Sequence, residues 1–145
     1  MIPRFQNILV PVDFTEKNWA ALDIAFETAV VNKAAVTLLH VIETIDDGDF
    51  DDDPDVREFY HRLNERAERE LETMSQRFTE AGVSIQQKIR FGKRISEIVG
   101  FSIDHPTDLV VMSSHPLADR NPAASIVTLS YQVSLLCKCP ILLVK

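Results

Sequence analysis

A loop with phosphate-binding chemistry is the first feature of interest in the chain. Residues 111–125, VMSSHPLADRNPAAS, begin where the apolar run DLVVM ends, and that run is typical of a buried parallel strand. In parallel α/β sheets, the loops that follow the strands commonly hold phosphate groups. The hydroxyls of Ser113 and Ser114 and the charge of Arg120 suit such contacts, but the loop has two prolines and no glycine. It is either a nucleotide site or a place where one has been lost.

Asp13 is a second candidate, because it directly follows the apolar run NILVPV at the end of a predicted central strand. An aspartate there can cap the next helix or accept N–H bonds in the turn, and it can also contact a ligand beside the sheet. The sequence leaves both interpretations open. His40 lies inside a strand-like segment and His115 in the loop, and no nucleophile and base accompany them, so we predict no catalytic residues.

The composition indicates one domain, residues 1–145, with 46% hydrophobic residues and a substantial core. A net charge of −7 argues against nucleic acid or an anionic membrane as a partner. We interpret the only basic cluster as a solvated strand end and helix start; it consists of Lys88, Arg90, Lys93 and Arg94. Neither a signal peptide nor a run of about 18 apolar residues is visible, so we expect a cytoplasmic protein.

Metal chemistry is not predicted. Cys137 and Cys139 are too close in sequence for a good disulfide, and no CxxC motif or nearby histidine completes a set of metal ligands. The segment 46–55 contains seven aspartates, but Pro54 and Tyr60 stand where a calcium loop of the EF-hand type requires glycine and glutamate. We therefore predict a solvated acidic loop without metal.

Apolar runs and helical spacings place the candidate residues on alternating strands and helices. Buried strands are predicted at residues 7–12, 35–42, 108–112 and 139–145. The alternating residues 83–89 predict a strand near the sheet edge, and the longest helix is predicted from about Pro54 to Thr79 with Asp53 as its cap. The order β-α-β-α-β-α-β-α-β is typical of a parallel sheet with helices on both faces.

Helical spacing also predicts which residues the helices bury. The buried face of the first helix is predicted to consist of Trp19, Leu22, Phe26, Ala29 and Val30. In the longest helix the predicted buried face includes Phe59 and Phe78.

With these elements in place, four phrases of the chain resemble one family, the universal stress proteins. They are, in order, NILVPVDFTEKNWAAL, LLHVI, GKRISEIVGFSIDHPTDLVVMSSH and CPILLVK. The resemblance extends from about Ile8 to Lys145. It implies a single-domain α/β fold: an open five-stranded parallel sheet of strand order 3-2-1-4-5 with helices on both faces, Rossmann-like and of the adenine-nucleotide alpha-hydrolase kind.

The adenosine half of a nucleotide site matches the family pattern. In nucleotide-binding members, ATP lies across the carboxyl ends of the strands. The resemblance places Asp13 beside the adenosine and gives Val41 the backbone contacts to adenine. Pro11 and Val12 would line the same base pocket. The resemblance therefore implies an adenosine pocket formed by these four residues.

The phosphate half departs from the pattern. Binding members resemble G-2x-G-9x-G-[ST], and here Ser113, Pro116 and Val127 stand at the three glycine positions. Thr128 then takes the hydroxyl position, with ten residues instead of nine before Val127; insisting on nine loses the hydroxyl. Pro116 has no N–H to donate, and the branched side chain of Val127 obstructs phosphate. We interpret 111–125 as part of a degraded phosphate loop, in which the hydroxyls, including that of Ser114, form a weaker site.

Loss of these glycines is a feature of the family's A-type branch, which the chain resembles. We expect a stress-response protein that acts by association or partner binding, with weak or absent ATP binding, no enzymatic activity and no cofactor. The missing glycines disfavour ATP and magnesium. An ATP-binding switch that hydrolyses ATP slowly or phosphorylates itself stays open as the alternative. Flavin electron transfer is disfavoured because DFTEKNWA lacks the glycine of a flavin phosphate loop.

The apolar end of the chain predicts a partner. The last predicted strand is formed by Ile141, Leu142, Leu143 and Val144. It lies at an edge of the expected sheet, and an exposed apolar edge is a template for pairing. Family members commonly pair through this strand. We therefore predict a homodimer through the C-terminal strand, with neither nucleic acid nor membrane as a partner.

Overall fold

The computed structural model of the chain describes residues 4–44, 53–114 and 128–145, and along them strands alternate with helices. The strands are β1 (Asn7–Pro11), β2 (Ala35–Glu43), β3 (Ile85–Gly92), β4 (Leu109–Ser113) and β5 (Ile141–Val144). The helices are α1 (Asn18–Asn32), α2 (Pro54–Glu80), α3 (Arg94–Asp104) and α4 (Leu129–Leu136). The cap predicted for α2 is confirmed, because the Asp53 carboxylate accepts the Asp55 N–H at 2.9 Å. Most of the predicted acidic loop and most of the 111–125 loop lie outside the described residues.

The strands form one parallel sheet in the order β3-β2-β1-β4-β5, which confirms the predicted fold class. The strand order reverses at β1, because the chain moves to β2 on one side and later returns to β4 on the other. β3 is an edge strand, as its alternating sequence predicted, and β5 is the opposite edge. Ligands bind at such a reversal, outside the carboxyl ends of the strands.

Each face of the sheet has its own apolar core, because successive side chains of a strand point to opposite faces. Ile8 and Val10 of β1 belong to the cluster under α1 and α2, whereas Leu9 belongs to the cluster under α3 and α4. The central strands are buried on both faces, which explains their uninterrupted apolar sequences. No helix in the described parts of the chain has the length and apolar character needed to cross a membrane.

The predicted helix faces are wrong at several positions. Trp19 and Val30 were predicted to be buried, but their exposed fractions are 44% and 47%. The buried apolar residues of α1 are Ala21, Leu22, Ala25 and Ala29. Leu22 and three alanines therefore form the apolar contact of α1, and Trp19 and Val30 lie outside it. Phe59 of α2 is likewise exposed, at 52%, although Phe78 is completely buried.

These exposures predict different costs for two phenylalanine substitutions on α2. We expect Phe78→Ala to lower the free energy of unfolding by about 3–5 kcal/mol, because it leaves a cavity in the core. The matched control Phe59→Ala should cost less than about 1 kcal/mol, because that ring is half exposed. Urea unfolding followed by circular dichroism measures both values, and equal losses would contradict the assignment of the buried face.

Candidate functional site

A pocket opens at the carboxyl ends of β1, β2 and β4. Arg94 and Ile98 of α3 and Leu129 of α4 complete its walls. Its position is the strand-order reversal, where β1 lies between β2 and β4. This is the candidate ligand site.

The structure brings together the four residues of the predicted adenosine pocket. Pro11, Val12, Asp13 and Val41 all line the pocket, and Ser113 lies beside them on its wall. Ser114 and Thr128 do not line it. Pro116 and Val127 lie outside the described residues, so their part in a phosphate loop stays a prediction from the sequence.

Asp13 stabilises a turn and is not the cap of α1. Its Oδ1 accepts the backbone N–H of Thr15 at 3.0 Å and the hydroxyl of Thr15 at 2.7 Å. The N-cap position of α1 is Lys17, whose side chain makes no capping bond. Of the structural roles that the sequence left open for Asp13, the turn is therefore the one that the structure shows.

Asn18 is a residue of the candidate site that the sequence analysis missed. Its side chain is almost completely buried, and its Oδ1 accepts the backbone N–H groups of Asp13 and Phe14, each at 2.8 Å. Its Nδ2 donates to Ser113 Oγ at 3.1 Å, and that hydroxyl in turn donates to the carbonyl of Lys17 at 3.2 Å. One amide thus joins the loop after β1 to the end of β4. The available signal in the sequence was a polar residue on the otherwise apolar buried face of α1.

Phe14 has an unusual backbone conformation beside the pocket. Its φ of 66° lies in the left-handed region, which costs energy for any residue except glycine. Asn18 fixes its N–H, and its ring stacks on that of His40 with centroids 4.1 Å apart at an interplanar angle of 26°. The turn after β1 is therefore held by one hydrogen bond and one aromatic contact.

His40 lines the pocket and makes a hydrogen bond to the backbone of Val12, directly after β1. Its Nδ1 lies 2.8 Å from the carbonyl oxygen of Val12, so Nδ1 carries the proton and donates. Burial lowers the pKa of His40 from its ordinary value, and the nearby charges of Arg94 and Arg66 act in the same direction. The Val12 hydrogen bond and Asp13 oppose this shift. The net shift favours the neutral form of the ring.

Val41 presents an unpaired backbone edge to the pocket. Odd-numbered residues of β2 direct their N–H and C=O groups toward β1: Ala35 donates to Gln6 and Leu39 accepts from Val12, each at 2.9 Å. Pairing between the strands ends at Pro11 and Leu39. Among the residues that the structure describes, none is paired with Val41 on this side, although only 5% of Val41 is exposed. Its N–H donor and C=O acceptor are thus available to a ligand.

The described phosphate-loop residues are engaged within the protein. Ser113 Oγ donates to Lys17, as noted above, and the Ser114 N–H donates to the Val144 carbonyl at 2.8 Å. Thr128 caps α4, where its Oγ1 accepts the Tyr131 N–H at 3.4 Å. These contacts serve the local fold. They do not form a cradle of N–H donors.

The positive charge on the described pocket wall comes from Arg94, which the sequence analysis assigned to a solvated patch. Arg94 lies on the pocket wall, and its Nε is 3.8 Å from Glu43 Oε2. Both side chains are about half exposed, so the pair is weak and partly neutralises the guanidinium. Within residues 4–44, 53–114 and 128–145, no group of three or more potential metal ligands occurs.

Comparison with a family model and with solved structures identifies one family and one fold. The model of the universal stress protein family matches residues 4–145. A structure described as the hypothetical protein MJ0577 is 25% identical, with 98% of this chain and 96% of that chain covered and a TM-score of 0.82. The universal stress protein UspA from Lactobacillus plantarum is 23% identical, with coverages of 98% and 99% and a TM-score of 0.77.

A third solved structure shares the fold across both complete chains. It is the universal stress protein from Archaeoglobus fulgidus in complex with dAMP, 16% identical, with 100% of each chain covered and a TM-score of 0.69. Among curated proteins, none matches the chain.

The contacts of Asn18 predict a large effect of its removal. We expect Asn18→Ala to lower the free energy of unfolding by about 2–4 kcal/mol, because two buried N–H groups lose their acceptor. Asn18→Asp keeps the acceptor and should cost clearly less. Asn64→Ala is the matched control, because Asn64 bonds only an exposed Glu68 side chain on α2, at 3.0 Å. Urea unfolding measures all three, and a wild-type value for Asn18→Ala would contradict this role.

Proposed function

The chain belongs to the universal stress protein family, and we propose that it acts there as a stress-response protein whose pocket binds the adenosine part of an adenine nucleotide. In this proposal the triphosphate of ATP contributes little or nothing to binding. The protein works in the cytoplasm as a homodimer, by association or partner binding, and has no catalytic turnover.

The backbone edge of Val41 is the observation that carries the nucleotide proposal. An N–H donor beside a C=O acceptor is complementary to adenine, whose N1 accepts and whose 6-amino group donates. Guanine and hypoxanthine present the opposite arrangement at these positions. A buried polar edge rejects a base that leaves it unpaired, so the same groups supply selectivity. The apolar walls formed by Val12, Leu39 and Ile98 suit the faces of a planar base.

Weak binding of the triphosphate is supported by the described residues near the pocket. The hydroxyl proton of Ser113 and the N–H of Ser114 are already donated within the protein. Arg94 is the cation on the described pocket wall, and Glu43 partly neutralises it. The net charge of −7 further opposes a polyanion.

The dAMP complex from Archaeoglobus fulgidus does not carry this argument, because at 16% identity the likeness extends to the fold alone. The ligand named there is nevertheless of the class that we propose for this chain. The selection of adenine rests on the Val41 edge.

An ATP-binding switch is the second candidate function, and the position of Arg94 on the pocket wall favours it. Such a switch would hydrolyse ATP slowly or phosphorylate itself. It would need side-chain hydroxyls and cations to hold the phosphates without the glycine N–H groups of the family pattern.

Calorimetric titration of nucleotide-stripped protein distinguishes the two functions. We expect AMP and adenosine to bind, ATP with magnesium to bind no more tightly than AMP, and GMP, the control ligand, to give no heat. ATP binding in the low micromolar range, with much weaker AMP binding, would establish the switch instead. Absence of heat and of a thermal shift with every adenine ligand would reject the adenosine pocket.

The proposed homodimer is supported by the exposed edge of the sheet. β5 is the terminal strand on the β4 side, and Leu142 and Leu143 are 40% and 37% exposed. α4, which precedes β5 in the chain, also exposes Leu135 and Leu136. An apolar edge strand offers both backbone groups and side chains to a second copy. Pairing of two β5 strands would cover them.

Charging the edge should separate the protomers. We expect Leu142→Lys to convert the dimer to a monomer at micromolar concentration, because the ammonium group would be buried against a second copy. Val31→Lys is the control, since Val31 on α1 is also apolar and is 81% exposed. Multi-angle light scattering gives the mass of each variant. A monomeric wild type, or a Leu142→Lys dimer, would contradict the β5 interface.

A further inference from the structure

The pairing of β1 and β2 stops after Pro11 and Leu39. The Val12 N–H donates to the Leu39 carbonyl at 2.9 Å, as the parallel ladder requires. The following bond of that ladder would join the Val41 N–H to the Val12 carbonyl. Instead, the Val12 carbonyl accepts a hydrogen bond from His40 Nδ1 at 2.8 Å.

The next backbone group along the chain that could pair with β2, the Phe14 N–H, also bonds to a side chain. In a continued ladder, the Phe14 N–H would donate to the Val41 carbonyl. It donates to Asn18 Oδ1 at 2.8 Å. The side chains of His40 on β2 and Asn18 on α1 therefore form hydrogen bonds with the two backbone groups that a continued ladder would pair with Val41.

We propose that His40 is a positioning residue, which holds the Val12 carbonyl and so keeps the backbone edge of Val41 open for a ligand base. The inference rests on the proposed function, because the base that it serves is adenine. Asn18 has the corresponding effect on the Val41 carbonyl. In this proposal His40 acts on the base through the backbone of Val41.

The position of the imidazole suits this role. His40 and Val41 are neighbours in a strand, so their side chains point to opposite faces of the sheet. The ring packs on Phe14, with centroids 4.1 Å apart, and this contact limits its orientation. The His40 side chain, held on one face of the sheet, thereby controls whether the backbone groups of Val41 can bond a ligand in the pocket.

Substitutions that separate the ring from its donor test the proposal. His40→Phe keeps an aromatic ring against Phe14 but cannot donate, and His40→Leu provides a second donor-free variant should the first fail to fold. His40→Asn places an amide donor near the position of Nδ1 and should restore wild-type behaviour. His105→Leu is the matched control, because His105 also stacks on a phenylalanine, Phe101, and lies 3.3 Å from its carbonyl.

The first readout is amide hydrogen exchange, which reports on Val41 in the absence of any ligand. We expect the Val41 N–H to exchange readily in the wild type. In the donor-free variants, exchange should slow by about tenfold or more, because the N–H can then bond to Val12. An unchanged exchange rate in folded His40→Phe or His40→Leu, or the same slowing in His105→Leu, would overturn the proposal.

The second readout is base preference. We expect the donor-free variants to lose about tenfold in adenosine affinity and most of the preference for adenosine over inosine, and His40→Asn to recover both. Retained preference in these variants would also overturn the proposal. If the wild-type protein binds no adenine nucleoside, the proposed function fails, and Val41 exchange alone decides whether His40 holds the edge open.

Discussion

The end of the β1–β2 ladder is the constraint on which the candidate site depends. Parallel pairing tends to continue, because each pair of residues places the next donor and acceptor in register. Here it stops after Pro11 and Leu39, and the chain turns toward α1. A turn in this position withdraws backbone groups from the sheet inside a poorly hydrated region, where unpaired groups are costly. The buried amide of Asn18 meets this cost by accepting two of the N–H groups.

The two halves of a nucleotide site depend on different features of a protein, and this explains how one could persist without the other. The base recognition proposed for Val41 would use backbone groups, so it would require only that β2 extends beyond β1. Recognition of phosphate requires several N–H groups converging on one anion, which glycine makes possible. Near this pocket the corresponding groups are engaged elsewhere: Ser113 binds Lys17, and Ser114 pairs with Val144. The Ser113 hydroxyl and the Ser114 N–H cannot donate to a phosphate while they make these contacts.

Much of the architecture could be predicted from the sequence, since strands buried on both faces have continuous apolar runs and the intervening helices repeat at helical spacing. The capping of α2 by Asp53 was also predictable, because it depends on local sequence. Asn18 was not predictable in the same way, since its partner Ser113 is distant in sequence and only the fold brings them together. Helical spacing alone misassigned part of the buried face of α1, because it does not show that Ala21 and Ala25 make the close contact with the sheet.

The conformation of Phe14 connects the stability of the turn to the openness of the pocket. A residue with a Cβ atom at a φ of 66° is held there only when its surroundings compensate for the strain. The compensating contacts are the Asn18 hydrogen bond and the stack on His40. Both of these side chains also divert a backbone partner from Val41. The interactions that hold the strained turn are therefore also the ones that bond the backbone groups opposite Val41. We expect a mutation that relaxes the turn to change the backbone edge that the pocket presents.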